Sequence, residues 1–391
     1  MSVLAQTGQR AAARPTAPVT NRPRRRVLLA PVTVTPSKPL TPSHLKGLLW
    51  TDVMYRATAH VADVDYRYSH TTYHCTEQTL GFWEFLDRAA ADVDHGALSA
   101  EQIGELYVRY RAEPNRVPAD ALRPYADAVE RHGWVHPAAE RVLDLWTAQY
   151  ARLGMHDPGL TTHQPPGLGL EETIDRLCAM NLCLDLRAIG GPVYLDGTRH
   201  GLPLRVIVSA DGRPNYLACA LRELVPLAPE YDELVLLYDD ELAADYVLLQ
   251  RTLGACGPDV RRVALGRVPI DGVVRSARHG GWQGHTAGAV LRTLGPDYEE
   301  AAVRIGVRLY FIAMLGPGSQ QSFRYDLLRK ACARADRWLA DGPAADPLPV
   351  AELVSRHQGE HCYVDPYRLT TGLLGRHRSA PAGGLLSAVY L

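Results

Sequence analysis

Residues 27–34 run Val-Leu-Leu-Ala-Pro-Val-Thr-Val, an apolar and β-branched stretch that reads as a buried strand. Residues 35–40 follow as a proline-rich turn. From there the spacing becomes helical, with Leu45, Leu48, Leu49, Val53 and Met54 on one stripe and Ser43 as the expected N-cap. A second, alternating strand covers 64–69. Residues 80–185 change period, since apolar positions recur three to four apart in 82–86, 103–110 and 142–150. A Gly/Pro loop at 164–169 precedes a helix expected from about 170 to 186.

The strand rhythm then returns. Residues 204–209 read as a strand and 216–224 as a helix; 234–238 read as a strand, 242–253 as a helix and 260–268 as a third strand. This predicts an α/β protein with a doubly wound parallel sheet, a helical insertion and a C-terminal helical remnant. The expected divisions are a disordered tail at 1–26, a first half-core at 27–79, an insertion at 80–190, a second half-core at 191–295 and a helical region at 296–391.

Composition narrows the classes. A chain of 391 residues with 46% hydrophobic residues can build two domains, or one large core with an appendage. A formal net charge of -1 argues against nucleic acid as the main partner. The seven cysteines form no CxxC pair, so a reduced, cytoplasmic setting is expected and structural zinc is not. No apolar run reaches membrane-spanning length. The first 26 residues, ending Arg24-Arg25-Arg26, lack the apolar segment of a secretory signal. Lysine occurs only at Lys38, Lys46 and Lys330, so two of the three sit in the turn that joins the first strand to the first helix.

A strand, a loop and a helix N-terminus make an anion site, because unsatisfied backbone N–H groups and the helix dipole converge there. Pro39-Leu40-Thr41-Pro42-Ser43-His44-Leu45-Lys46-Gly47, followed by Asp52-Val53 and Arg56, resembles the first signature of class I aminoacyl-tRNA synthetases. Thr41 stands where that family has its first His, as in the wider Thr/His-x-x-His nucleotidyltransferases, and Ser43 stands where it has Gly. The resemblance implies a Rossmann-type core that binds ATP and Mg²⁺. It makes Thr41, His44 and Lys46 the catalytic group and places Pro39 and Gly47 beside the nucleotide. His44 matches the second signature His, which stabilises charge as ATP reacts.

The segment 70–78 is delivered to the same end of the sheet, where the family lines its amino-acid pocket. His70, Thr72, His74 and Glu77 are therefore the expected substrate contacts. His70, His74 and Cys75 also suit a metal by type, but no fourth ligand accompanies them, and a polar wall is the better reading. Asp211-Gly212-Arg213-Pro214-Asn215-Tyr216-Leu217 is similar to an arginyl-type segment, which adds Asp211 and Tyr216 to the substrate side. Asp239 and Asp240 fall where the family holds the ribose. Arg308 matches an arginine of the helix that leaves the core.

The second signature, a Lys-Met-Ser-Lys-Ser loop, is absent, because no lysine lies between Lys46 and Lys330. Residues 275–288 stand in its place. They are rich in Gly and cationic, and Arg278, His285 and Thr286 are the candidate ATP contacts. Adenylation of an amino acid and its transfer to a small nucleophile, in specialised biosynthesis, is the reading these residues imply. The alternatives are a truncated enzyme that charges tRNA or uses charged tRNA, and a nucleotide-binding relative without catalysis.

Overall fold

The computed structural model describes residues 24–391 apart from 33, 115–116, 275, 319, 343–347 and 376–380. Most of the expected tail, with Thr33 and Arg275, lies outside the described residues. Among those described, the strands are β1 (Arg26–Ala30), β2 (Asp63–Tyr66), β3 (Cys183–Asp185), β4 (Val193–Leu195), β5 (Arg205–Val208), β6 (Glu233–Asp239) and β7 (Asp259–Leu265). The helices used below are α1 (Pro42–Thr58), α2 (His70–His74), α3 (Glu77–Ala89), α4 (Ala100–Ala112), α5 (Ala119–His132), α6 (Pro137–Leu153) and α7 (Leu170–Ala179). They continue with α8 (Tyr216–Leu227), α9 (Ala243–Gly254), α10 (Ala287–Leu294), α11 (Glu300–Arg308) and α12 (Tyr325–Ala340).

The main sheet has the order β2-β1-β6-β7 and every pair in it is parallel. Burial explains why β1 and β6 are continuous apolar runs rather than alternating ones. Val27, Leu28 and Leu29, and Leu234 to Tyr238, are covered on both faces. The expected α/β core is therefore present, and its two halves meet in one sheet, with β1 hydrogen-bonded to β6.

Three details differ from expectation. The strand expected at 204–209 is not in the parallel sheet. It is β5, paired antiparallel with β4 in a separate sheet of order β3-β4-β5. Its burial pattern fits this, since the first half of the strand, with Leu204 and Val206, is exposed and only Ile207 and Val208 at its end are buried, whereas a central parallel strand is covered along its length on both faces. The helix expected to reach residue 186 stops at Ala179, because Asn181 turns left-handed at φ 55° and releases the chain into β3. The N-cap of α1 is Thr41 rather than Ser43. Pro42 takes the first helical position, where its missing N–H costs nothing.

A buried ion pair fixes α1 against the rest. Asp52 and Arg308 have side chains 1% and 0% exposed, with Arg308 Nη2 2.6 Å from Asp52 Oδ2. Arg308 also donates to the carbonyls of Leu153, Gly154 and Arg304. The other Asp52 oxygen accepts from Arg56 Nε and the His156 backbone N–H. Burial pushes the Arg308 pKa down, and Asp52 opposes that shift. Removing one member of such a pair leaves an uncompensated buried charge, so Asp52→Ala is expected to cost about 3–5 kcal/mol, measured by urea denaturation. A loss no larger than that of a surface substitution would show the pair to be dispensable.

Candidate active site

The carboxyl ends of β1, β6 and β7 open towards the first turn of α1, the place where parallel α/β sheets bind ligands. A cleft of about 530 Å³ lies there. One wall is cationic. Lys38 comes from the β1–α1 connection, His44 from the first turn of α1, Arg267 from just beyond β7, and Arg278 from the glycine-rich loop. Asp239 at the end of β6 faces them and accepts from Arg267 Nε at 3.2 Å. The opposite wall carries Thr35, Tyr73, Glu77 and Gln78, with Arg213 and Tyr216 from the connection between β5 and α8.

His44 is held by its own helix start. The Thr41 backbone N–H donates to His44 Nδ1 at 3.1 Å, so the neutral ring carries its proton on Nε2. Burial, then Lys38 and Arg267, push its pKa down to about 3, opposed by the Pro39 carbonyl. His44 is therefore a neutral hydrogen-bond donor and not a cation. Lys38 lies over the Tyr107 ring, with Nζ 5.3 Å from the centroid. Burial lowers its pKa to about 8, with Asp239 opposing and Arg267 assisting. Burial raises the Asp239 carboxyl, and Arg267 opposes that rise.

Several residues expected at the site are elsewhere. Lys46 is 1% exposed, and its ammonium donates to the carbonyls of Gly266, Pro317 and Gly318 at 2.8, 3.0 and 2.6 Å. All three of its donors are used inside the protein, so it has none left for a phosphate. Gly47 packs on Val32, where a Cβ would sit 2.9 Å from a methyl group. Pro39 is buried against Gly104. The short helix α2 turns His70, Thr72 and His74 into the core. His74 is 0% exposed, and its ring lies 4.9 Å from Trp83. Asp211 is exposed and held by Ser209 and Arg213.

Asp240 is also exposed, beyond the cleft wall. His285 packs on Phe323 and Tyr325. Thr286 caps α10 and donates to Glu101. Thr41, His44, Glu77, Tyr216, Asp239 and Arg278 do line the cleft. Sequence reasoning missed Lys38, Arg213 and Arg267. The rarity of lysine pointed to this turn, but nothing in the sequence tells which of its two lysines faces the cleft. Among the described residues no cluster of three or more His, Cys, Asp or Glu side chains is set to hold a metal.

No family model matches this chain, and no curated protein does. Solved structures do. Arginyl-tRNA synthetase from Thermus thermophilus superposes with a TM-score of 0.60 at 16% identity, covering 96% of this chain and 80% of its own. The Plasmodium falciparum arginyl-tRNA synthetase gives 0.48 at 10% identity, covering 82% of this chain and 52% of its own. The likeness to the Thermus enzyme establishes a class I aminoacyl-tRNA synthetase-like fold.

The Lys38 ammonium is charged below its pKa and neutral above it. Binding of inorganic pyrophosphate is expected to weaken as pH rises through about 8. Lys38→Arg, whose guanidinium stays protonated, should remove that decline in calorimetric titrations. A pH profile unchanged by the substitution would exclude Lys38 as the titrating group.

Proposed function

We propose that the protein is an ATP-dependent ligase. It activates an amino acid as an aminoacyl-adenylate and passes it to a small-molecule nucleophile. The observation that carries this reading is the cleft itself, at the carboxyl ends of the parallel strands. There the neutral His44 and the cations Lys38, Arg267 and Arg278 gather around Asp239, while Arg213 and Glu77 pair with each other in the same cleft. Such a wall suits a polyphosphate, whose negative charge must be met where more charge develops.

In this reading the amino-acid carboxylate attacks the α-phosphorus of ATP and pyrophosphate leaves. His44 donates Nε2–H to a phosphoryl oxygen as charge builds on it. Lys38 and Arg278 hold the departing phosphates, taking the part that the absent lysine loop plays elsewhere in this fold. Arg267 and Asp239 position one another, and Asp239 is placed for the ribose. Mg²⁺ would enter on the phosphates and neutralise their charge. Glu77, 3.1 Å from Arg213, is placed to meet the substrate ammonium. The acyl group then passes to the nucleophile and AMP leaves.

A second reading is that the acceptor is tRNA. It is favoured by the 80% of the Thermus arginyl-tRNA synthetase that this chain covers. The near-neutral charge favours the small acceptor.

ATP–pyrophosphate exchange screened over amino acids, with and without tRNA, separates the two readings. Exchange followed by transfer without tRNA is expected. Exchange with no amino acid, in either condition, would sink both. His44→Ala should lower exchange by roughly a hundred- to thousand-fold while leaving the fold intact, the usual effect of losing a donor used mainly in the transition state.

A further inference from the structure

The glycine-rich loop and the Lys38 turn come from distant parts of the chain, yet both rest on α4 of the helical insertion. Three residues three apart on α4 make the contacts. Glu101 accepts from Thr286 at the end of the loop. Gly104 leaves a notch that two partners fill. A Cβ there would lie 2.5 Å from Pro39 Cδ and 2.8 and 2.9 Å from the Trp282 ring carbons Cη2 and Cζ2. Tyr107 lies beneath the Lys38 ammonium.

Trp282 is 2% exposed, which is unusual for the largest side chain on a loop of glycines. Its Nε1 donates to Ala277 O at 2.9 Å, so the seated ring also closes the loop segment that carries Arg278. The two supported segments are joined directly, because Ala287 N donates to Leu40 O at 2.8 Å.

We propose that α4 is the positioning element of the phosphate side. Gly104 seats Trp282 and Pro39 so that Arg278 and Lys38 stand together across the cleft, and Tyr107 orients the Lys38 ammonium. This rests on the proposed ATP site. In consequence the insertion acts on nucleotide affinity through the seats of Pro39 and Trp282 and through the Tyr107 ring, which lines the cleft beneath Lys38. Glycine is required at 104 for close approach, since a methyl group has nowhere to go between a proline ring and an indole.

The test uses the full chain and two readouts, trypsin cleavage after the exposed Arg278 and calorimetric ATP–Mg²⁺ affinity. Gly104→Ala should speed that cleavage and weaken ATP binding about tenfold, the scale of an overpacked contact. Gly81→Ala is the control. It presses on Tyr110, elsewhere on α4, where a Cβ would meet the hydroxyl. It should change neither readout. The proposal is overturned if Gly104→Ala matches wild type in both, or if Gly81→Ala reproduces its effects.

Should Gly104→Ala not fold, Tyr107→Leu decides. It should weaken ATP binding about threefold, the scale of a lost cation–π contact, in protein that still unfolds in one cooperative transition. Unaltered affinity would overturn the proposal. If wild-type protein binds no ATP, the nucleotide reading fails, while cleavage after Arg278 still reports whether Gly104 seats the loop.

Discussion

The architecture depends on one buried charge pair. Asp52 and Arg308 are both withdrawn from water, and that is tolerable only because every exposed demand is met. The guanidinium reaches a carboxylate oxygen and three carbonyls, and the carboxylate takes two further donors. These partners belong to α1, α11 and the end of α6, so the pair leaves those elements one relative position. His44 sits eight residues before Asp52 on the same helix, about 12 Å along its axis. The donor that faces the cleft therefore inherits its place from an interaction remote from any ligand.

Much of this was legible in the chain because the relevant patterns are strong. Continuous apolar runs at β1 and β6, the proline before α1 and the helical spacing of 82–150 each follow from burial or from backbone chemistry. Those signals failed where the tertiary partner of a strand decided the matter. The β5 segment has strand residues, but strand residues do not say whether a strand lies inside a parallel sheet or on the rim of an antiparallel one. The sequence likewise placed His70 and His74 at the ligand end of the sheet, yet neither lines the cleft. It could not show that the single helical turn of α2 rotates both inward.

The lysine of the β1–α1 connection and the lysine of the first turns of α1 show the same gap at the scale of one side chain. Lys38 and Lys46 are eight residues apart and are both depressed to about 8 by burial. One meets a tyrosine face and open space, and the other meets three carbonyls. Their roles differ because of residues more than 200 positions away, Gly266, Pro317 and Gly318, which close around Lys46. Local motif reading weights the lysine nearer the histidine, whereas tertiary closure gives the cleft to the other.

The small β3-β4-β5 sheet has a bearing on how this fold diversifies. Its turn at 209–215 lines the cleft and carries Arg213, yet among the described residues no strand of that sheet pairs with the parallel core. Insertions or exchanges in that hairpin can reshape what the cleft accepts without shifting the register of β1, β6 or β7. The backbone that sets the register of the parallel sheet and the backbone that shapes this side of the cleft are thus separate pieces of chain.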